Sequence, residues 1–346
     1  MAVKKYNIEE LAKKIGVSKT LISFVLNNKA DHYGVSKATQ KKVLEAIKKT
    51  GFRPSFSARM LRLKKSNLIG VLMADISNPF FAQIATRIEQ LADIAGYRII
   101  MANTHENPKK ELDLLESLIY SQGVDGVILT SSLKSGIPLK KILPERFPLV
   151  LLDRKLGQLE NSSVGIDNFD GSLRMTTHLA TEGAKKIGLL VITPGYLSPI
   201  RDRIRGYTEA LSQAGIENDP ELIREISFQS IEKDVFEALS FFHLHKKVDG
   251  LFVLNNQIAK HCLLNFEQMN IRIPHDMLFA SFDDNDLFSL YNPSVSAVMQ
   301  PVDQLGHKAF GELSRLISLK DGTEKIEANE LNLTPELIIR QSSRRN

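Results

Sequence analysis

Residues 7–26, NIEELAKKIGVSKTLISFVL, decide the fold of the N-terminal segment. Apolar residues recur at helical spacing on both sides of Gly16, and Ser18 is a residue type that caps helix N-termini. A third amphipathic run begins after Ser36 and ends before Gly51. Two short helices around a tight turn, followed by a third helix, are the layout of a helix-turn-helix DNA reader. The sequence therefore predicts an all-α headpiece over residues 1–54.

Charge is distributed unevenly along the 346 residues. Of the 45 basic and 40 acidic side chains, 16 and 4 lie within residues 1–65, which leaves 29 and 36 in the remainder. The first segment thus carries a net charge of +12 and the rest −7. A strongly basic segment on an acidic body is typical of proteins with a nucleic-acid partner. An unstructured basic tail is the alternative, but it does not explain the helical spacing of the apolar residues.

Composition bounds the class of protein. A single cysteine, Cys262, cannot form an intrachain disulfide, which suits the reducing cytosol. The N-terminus lacks the charged-then-apolar pattern of a signal peptide, and no apolar run approaches the roughly 18 residues that span a bilayer. We therefore expect a cytoplasmic protein with no membrane partner.

From Leu68 onward, short apolar runs alternate with longer amphipathic ones. Continuous apolar strands separated by helices imply parallel sheets that are covered on both faces. The predicted strands are 68–74, 97–102, 126–129, 149–153, 187–192, 250–254 and 278–282. These are too many units for one compact sheet, so we expect an α/β body of two doubly wound parallel-sheet lobes. Such folds bind ligands at the carboxyl ends of their strands.

The segment 55–65, which joins headpiece and body, is short, basic and weakly patterned. A helix of about two turns is not stable alone in water. We expect a hinge helix or linker that folds only when something holds it.

Several motifs follow one another in a specific order along nearly the whole chain. They are Ile15-Gly16-Val17-Ser18, Val25-Leu26-Asn27-Asn28, Gly51-Phe52-Arg53-Pro54, Ala58-Arg59 with Leu61, Asp75-Ile76-Ser77-Asn78-Pro79-Phe80-Phe81, Leu152-Asp153-Arg154, Arg203 with Gly206-Tyr207, Phe282-Asp283-Asp284 and Gln300-Pro301. In their order and spacing, the chain resembles the lactose-repressor-like (LacI/GalR) family of transcription regulators from about residue 6 to residue 341.

The resemblance implies a body, residues 66–343, that is similar to periplasmic sugar-binding proteins, binds an effector and dimerises. The chain would cross between lobes three times, so that lobe one comprises 66–167 and 299–332 and lobe two 168–298 and 333–343. The implied function is a repressor whose affinity for a double-stranded, pseudo-palindromic DNA operator is controlled by a small molecule, a sugar or sugar derivative. A homodimer is expected because a two-fold operator needs two headpieces.

The expected DNA contacts lie around the second helix. Lys19 and Thr20 point away from the apolar stripe, so we expect them to reach base edges in the major groove, although contact of Lys19 with phosphate alone is the alternative. Phe24 stands where the family usually has Arg and cannot make the bidentate guanine contact, so it packs on a thymine methyl or folds back on the headpiece. By the resemblance, Leu61 is a minor-groove wedge, or else is buried against the body. The remaining candidates are Ser18, Ser23, Asn27, Arg53, Ala58 and Arg59.

The expected effector contacts suit a sugar, whose hydroxyls need amides, carboxylates or Arg and whose ring face needs an aromatic side chain. The candidates at the matched positions are Asn78, Phe80, Phe81, Asp153, Arg203, Phe228, Asn255, Asn256, Asp283 and Gln300. Helix caps for the two aspartates and core positions for the three phenylalanines are the alternatives. Asn256 stands where the family commonly has Asp, which removes a charge from the site.

Two rival classes are disfavoured. An enzyme of a doubly wound fold would carry a dinucleotide-binding glycine fingerprint, a phosphate-binding loop or a nucleophile elbow, and none is present. His243 and His245 are two apart on a predicted helix, so they face different sides and form no metal pair. A solute-binding protein for import would have a signal peptide and no basic headpiece. We therefore predict no catalytic residue, no cofactor and no metal.

Overall fold

The computed structural model describes residues 6–52, 65–323 and 326–345, in two compact units, 1–66 and 67–346. Most of the predicted linker 55–65 lies outside the described residues. So do four predicted DNA contacts, namely Arg53, Ala58, Arg59 and Leu61.

The described residues of the first unit form the helices α1 (Ile8–Ile15), α2 (Lys19–Leu26) and α3 (Lys37–Thr50). Each begins at a side-chain cap: Asn7, Ser18 and Ser36 accept a hydrogen bond from a backbone N–H in the first turn. Gly16 ends α1 with φ 69°, a left-handed conformation that glycine adopts without steric cost. The buried core of this unit is formed by Leu11, Ala12, Ile22, Val25, Ala30, Val43 and Phe52.

The second unit is built on two six-stranded sheets. The strands are β1 (Leu68–Met73), β2 (Arg98–Asn103), β3 (Gly126–Leu129), β4 (Leu149–Leu152), β5 (Ser162–Ile166), β6 (Ile187–Ile192), β7 (Ile223–Ile226), β8 (Gly250–Val253), β9 (Leu278–Phe282), β10 (Ser296–Met299), β11 (Glu330–Leu333) and β12 (Glu336–Ile338). The first sheet has the order β11-β5-β4-β3-β1-β2, and all its pairs are parallel. The second has the order β12-β10-β9-β8-β6-β7 and is parallel except at the β10–β12 edge.

Helices cover these sheets. They are α4 (Pro79–Ile94), α5 (Pro108–Glu116), α6 (Ile137–Ile142), α7 (Asn168–Thr181), α8 (Ser198–Gln213), α9 (Ile231–Ser240), α10 (Asn256–Gln268), α11 (Asp286–Leu290) and α12 (Val302–Leu319). Helices α5 and α9 each continue into a π-helical turn, Ser117–Gln122 and Phe241–Lys246. Among the helices of the described residues, none combines the length and apolar character needed to cross a bilayer.

The polypeptide crosses between the two sheets three times. The chain passes from the first sheet to the second after β5, returns after β10 and leaves again after β11. We call the part of the body around the first sheet lobe one and the part around the second lobe two. Because the central strands of both sheets are parallel, their carboxyl ends can face one cleft between the lobes.

The prediction of an α/β body with two parallel-sheet lobes is confirmed. All seven predicted strands are present to within one residue at each end. The five strands that sequence reasoning missed are polar or half-exposed, or begin with buried serines. Edge strand β7 reads Ile-Arg-Glu-Ile, and β5 begins at Ser162, whose hydroxyl donates to Glu312 Oε1 at 2.6 Å. Such strands lack the continuous apolar run on which the prediction depended.

Candidate recognition helix and ligand cleft

Helix α2 buries Ile22 and Val25 against the headpiece core and leaves Lys19 and Thr20 exposed at its first turn. The Ser18 hydroxyl accepts from the Leu21 N–H at 3.1 Å, which fixes the start of this helix. Near the other end, Asn27 Nδ2 donates to the Ser23 carbonyl at 2.5 Å. The predicted contacts Ser18, Ser23 and Asn27 therefore also hold the helix together.

Lys19 has an ionic partner within the headpiece. Its ammonium forms an exposed ion pair with Glu9 of α1. This hydrogen bond holds the pKa of the Glu9 carboxyl below its usual value. A Lys19 side chain that turns to a base edge or a phosphate must therefore leave Glu9.

Phe24 folds back on the headpiece. Its ring stacks on that of Tyr33 with centroids 4.0 Å apart and an interplanar angle of 10°. The chain is turned there by a hydrogen bond from the Lys29 N–H to the Phe24 carbonyl, at 2.9 Å. Phe24 remains half-exposed, so one part of its ring is still accessible. Sequence reasoning missed Tyr33, because it lies beyond the helix with no periodicity to mark it.

In the body, one cleft of about 580 Å³, its open mouth included, lies between the lobes. Nine of the ten predicted effector contacts line it: Asn78, Phe80, Phe81, Asp153, Arg203, Phe228, Asn255, Asp283 and Gln300. Asn256 is not part of the lining, but its Nδ2 donates to Asn78 Oδ1 at 3.3 Å. Asp75, Glu106 and Arg154 also line the cleft and were not predicted; Arg154 stands in a motif that the sequence had already singled out.

Arg203, Asp283 and Gln300 form a buried cluster. The Arg203 guanidinium donates from Nε to Asn168 Oδ1 at 2.8 Å and from Nη1 to the Leu254 carbonyl at 2.9 Å. Its Nη2 lies 4.0 Å from Asp283 Oδ1, which accepts from Gln300 Nε2 at 2.6 Å. Burial lowers the pKa of Arg203 and raises that of Asp283, while the two opposite charges counteract both shifts.

Asp153 and Asp283 share an uncommon backbone conformation. Asp153 follows β4 with φ 67° and Asp283 follows β9 with φ 69°. Aspartate is among the few residue types other than glycine that adopt this left-handed region readily. Neither aspartate caps a helix: the helix after Asp283 begins at the Asn285 cap. The turns therefore place two buried carboxylates at corresponding strand ends, one in each lobe.

Glu106 and Arg154 form the second charged cluster. Two hydrogen bonds of 2.7 and 2.6 Å join the Arg154 guanidinium to both Glu106 oxygens, and a third, of 3.0 Å, reaches the Ser131 carbonyl. The hydrogen bonds from Arg154 to Glu106 raise the pKa of Arg154 against the opposing effect of burial. Asp153 Oδ2 lies 3.6 Å from Arg154 Nε, and burial raises the pKa of its carboxyl. Within the described residues, no donor hydrogen-bonds to the Asp153 carboxylate.

Aromatic side chains contribute to the cleft from both lobes. Phe80 and Phe81 at the start of α4 are buried and meet edge to face, with centroids 4.9 Å apart. They thus belong to the core and to the cleft wall at once. Phe228 of lobe two is 40% exposed and is the accessible aromatic of the three.

Two buried acceptors near the cleft lack a donor within the described residues, Asn256 Oδ1 and Gln300 Oε1. The orientation of both amides is fixed by their other atom. The Gln300 Nε2 faces the Asp283 carboxylate, and the Asn256 Nδ2 faces an Asn78 oxygen. A buried acceptor without a donor costs free energy, so a donor supplied by a ligand would stabilise the site.

Hydrogen bonds bridge the lobes beside the cleft, and the bond from Gln300 to Asp283 is one of them. Besides the bond between Asn256 and Asn78, the Tyr196 hydroxyl donates to the Ser132 carbonyl at 2.9 Å. The Lys155 N–H donates to Ser198 Oγ at 2.8 Å. These few bonds tie one lobe to the other in the conformation described.

Family models match both parts of the chain. Residues 7–55 match the model described as bacterial regulatory proteins, lacI family, and residues 176–343 match a periplasmic binding protein-like domain. The transcriptional regulator RegA of Clostridium saccharobutylicum is 33% identical over 339 residues, which cover 97% of this chain and 99% of RegA. The chain belongs to the LacI family.

Other relatives agree with this membership. The ribose operon repressor of Halalkalibacterium halodurans is 31% identical over 97% of both chains. A solved structure described as a complex of the transcriptional regulator CelR with cellobiose is 25% identical, covers 98% of this chain and 100% of its own, and has a TM-score of 0.70. This LacI-family chain is a DNA-binding transcription regulator and not an enzyme.

Proposed function

We propose that this LacI-family chain is a repressor that binds a pseudo-palindromic operator as a homodimer and releases or retains it according to a carbohydrate bound in the cleft. The observation that carries the proposal is the cleft itself, in which nine side chains from both lobes bring carboxylates, amides, a guanidinium and aromatic rings together. This combination suits a hydroxyl-rich ligand with an apolar ring face. The names of two relatives, a ribose operon repressor and a regulator in complex with cellobiose, support it.

The DNA-binding part of the proposal rests on α2. Lys19 and Thr20 are exposed on the first turn of a helix that the Ser18 cap and the core residue Ile22 hold in place. The first turns of a recognition helix are the ones that enter the major groove. We place the headpiece at residues 1–54, the hinge at 55–65 and the effector-binding body at 66–343. Arg53, Ala58, Arg59 and Leu61 are assigned DNA contacts in this proposal through the resemblance.

The homodimer is supported by exposed apolar side chains on the body. Ile94 at the end of α4 is 85% exposed, and Leu290 of α11 is 80% exposed, with Leu264 and Leu287 also exposed in lobe two. Exposed apolar side chains mark an interface where they form a contiguous patch. A two-fold dimer would cover them and would present two headpieces to two half-sites.

Regulation follows from linkage between the two sites. A ligand changes DNA affinity only through its differential affinity for two arrangements of the lobes. Bonds such as Tyr196 to Ser132 exist only when the lobes are close, so a ligand that bridges the cleft favours the arrangement in which they form. The hinge, residues 55–65, would pass the difference to the headpieces.

One experiment tests the proposal directly. The purified chain is used to select bound duplexes from a random library, and its affinity for the most enriched sequence is measured by fluorescence anisotropy. We expect a pseudo-palindromic site, and a drop in affinity of about 10³–10⁵ between 50 and 200 mM salt if six to ten phosphates are contacted. Enrichment of no duplex at low salt, with or without candidate sugars, would refute DNA binding. Deletion of residues 1–65 should abolish binding to the selected duplex and leave ligand binding in place.

A further inference from the structure

The charged groups of the cleft restrict the class of effector beyond the carbohydrate of the proposed function. Its lining contains four acidic side chains, Asp75, Glu106, Asp153 and Asp283, and two basic ones, Arg154 and Arg203. The formal charge of the lining is therefore negative before any ligand enters. An anionic ligand would meet this field in a partly desolvated site, where like charges repel strongly.

Both guanidinium groups have protein partners, which reduce their capacity to offset that field. Arg154 is held by both oxygens of Glu106 and by the Ser131 carbonyl. Glu106 reaches it from a turn in which two consecutive residues, His105 and Glu106, have a left-handed φ of 55°. Such a conformation is uncommon for these residue types and persists where the surrounding structure requires it. The turn thus holds the Glu106 carboxylate against the Arg154 guanidinium, which an anionic ligand would need as its partner.

Arg203 is similarly committed. Two of its nitrogens donate to Asn168 and to the Leu254 carbonyl, and its guanidinium lies over the Phe282 ring, 3.5 Å from the centroid. Asp283 lies 4.0 Å from its remaining terminal nitrogen. A ligand carboxylate at that nitrogen would also approach Asp283, so the balance of charge around Arg203 is unfavourable for an anion.

The cleft contains acceptors that have no hydrogen-bond donor within the described residues. Gln300 is buried, lines the cleft and has an Oε1 without a donor in the described part of the chain. The buried Asp153 carboxylate has no hydrogen-bond donor there either. Acceptors without donors are satisfied by ligand groups that donate, which hydroxyls do and which carboxylates and phosphates do not.

We infer that the effector is an uncharged, polyhydroxylated carbohydrate, and that the cleft discriminates against its phosphorylated and carboxylated counterparts. This inference rests on the proposed function, because it specifies the ligand of the same cleft. Asp153 and Gln300 accept hydroxyl donors, Phe228 covers the ring face, and Glu106 acts as a positioning residue that keeps Arg154 from an anion.

The test uses the full chain and matched sets of probes. Binding is measured by calorimetry for glucose, glucose 6-phosphate and glucuronate, for galactose and galacturonate, for ribose and ribose 5-phosphate, and for cellobiose. We expect every probe that binds to be uncharged, with a charged counterpart at least about tenfold weaker. A charged probe that binds as tightly as its neutral counterpart, or more tightly, overturns the inference while leaving the carbohydrate-controlled repressor intact.

If none of these probes binds, both the carbohydrate effector and the inference are overturned. DNA binding is measured on the same sample and is a separate outcome. The variant Glu106→Gln tests the mechanism of discrimination, because it keeps the shape of the side chain and releases Arg154. We expect it to reduce the ratio of the dissociation constants of charged and neutral probes by at least about threefold. Glu116→Gln, at an exposed position outside the cleft, is the control. If a folded Glu106→Gln variant shows the same ratio of dissociation constants as the parent, the role of Glu106 is overturned. The ligand class itself is decided by the measurements on the parent chain.

Discussion

Phe24 on the recognition helix and Tyr33 beyond it stack with nearly parallel rings, whose centroids lie 4.0 Å apart. An arginine at position 24 could extend to a guanine, but the phenylalanine ring is held against the headpiece instead. The stack replaces a flexible, charged reader of bases by a fixed apolar surface. Offset stacked aromatic pairs contribute about 0.5–1.5 kcal/mol beyond their buried area, so the position of Phe24 is well defined.

The first prediction concerns the DNA base that the side chain at residue 24 contacts. Phe24→Arg should introduce a preference for guanine at one position of each half-site, because only Arg makes the bidentate contact. Selection from random duplexes with parent and variant measures the change. Tyr33→Ala is the companion variant, and it should loosen the parent's preference at that position without creating one for guanine. An ordinary guanine preference in the parent would contradict the proposed role of Phe24.

The second prediction concerns Lys19. Because its ammonium is paired with Glu9 in the headpiece, Glu9→Gln should free it and remove one negative charge near the DNA. We expect tighter operator binding, with a larger gain at low salt, since exposed charges are screened within about a Debye length. Anisotropy titrations at two salt concentrations measure it. Glu45→Gln on α3 makes the same charge change at another exposed position, and an equal gain there would show that only net charge matters.

The third prediction concerns Leu61, which lies outside the described residues. In the role proposed for it, the side chain parts the central base step and bends the duplex, which costs a few kcal/mol and is offset by additional contacts. Leu61→Ala should weaken operator affinity and reduce the bend, whereas effector affinity should stay near the parent's. Gel-shift bending assays and calorimetry measure the two effects. Equal operator binding by variant and parent would refute the wedge.

The fourth prediction concerns the bonds between the lobes. Tyr196→Phe removes the hydroxyl that donates to the Ser132 carbonyl. A hydrogen bond of this kind contributes about 0.5–1.5 kcal/mol, so effector affinity should fall by roughly two- to tenfold. Tyr120→Phe is the matched control, because its hydroxyl donates to the Ile142 carbonyl within lobe one. The control should lose a comparable amount of stability and keep the parent's effector affinity.

The fifth prediction concerns pH. Burial raises the pKa of both Asp153 and Asp283 above the ordinary value, so these carboxyls take up protons at a higher pH in the folded body than in the unfolded chain. Protonation of these two groups therefore favours folding as the pH falls, and it also removes the ionised acceptors that a sugar hydroxyl prefers. Effector affinity should therefore decrease as the pH falls from neutral toward the carboxyl range, without unfolding caused by these groups.

Calorimetric titrations of a neutral sugar across that range, with thermal unfolding of the free chain as reference, measure this effect. Asp283→Asn is the informative variant, since Asn accepts the left-handed conformation at φ 69° and cannot titrate. It should bind more weakly at neutral pH and show a smaller dependence on pH. An unchanged pH profile would assign the titration to other groups.

Much of this architecture could be predicted from the sequence because its physical causes are local. Capping serines, the left-handed Gly16 and fully apolar strands such as β6 are legible in a few neighbouring residues. Strands β11 and β12 were not predicted, because their pairing with distant strands, and not their composition, makes them strands.

The residues of the candidate site could be predicted from the sequence only in part. Residues at the ends of apolar strands, such as Asp153 and Asp283, were found, because parallel strands bring their carboxyl ends together. Glu106 was missed, because its role depends on an unusual turn and on a partner 48 residues away, Arg154. Tyr33 was missed for a related reason, since a stacking partner outside a helix leaves no periodic mark.

The three passages of the chain between the sheets have a consequence for how this protein can be cut. Neither lobe is a continuous piece of polypeptide, since α12 returns to the first sheet and β12 completes the second. A protease that cleaves once after β10 therefore leaves each fragment with parts of both lobes, and a single cut at either of the other two crossings leaves one lobe incomplete. Shortened products of the gene that end before Gln300 would lack the helix that covers β3 and β4, so a working sensor half cannot be obtained by truncation and would need circular permutation.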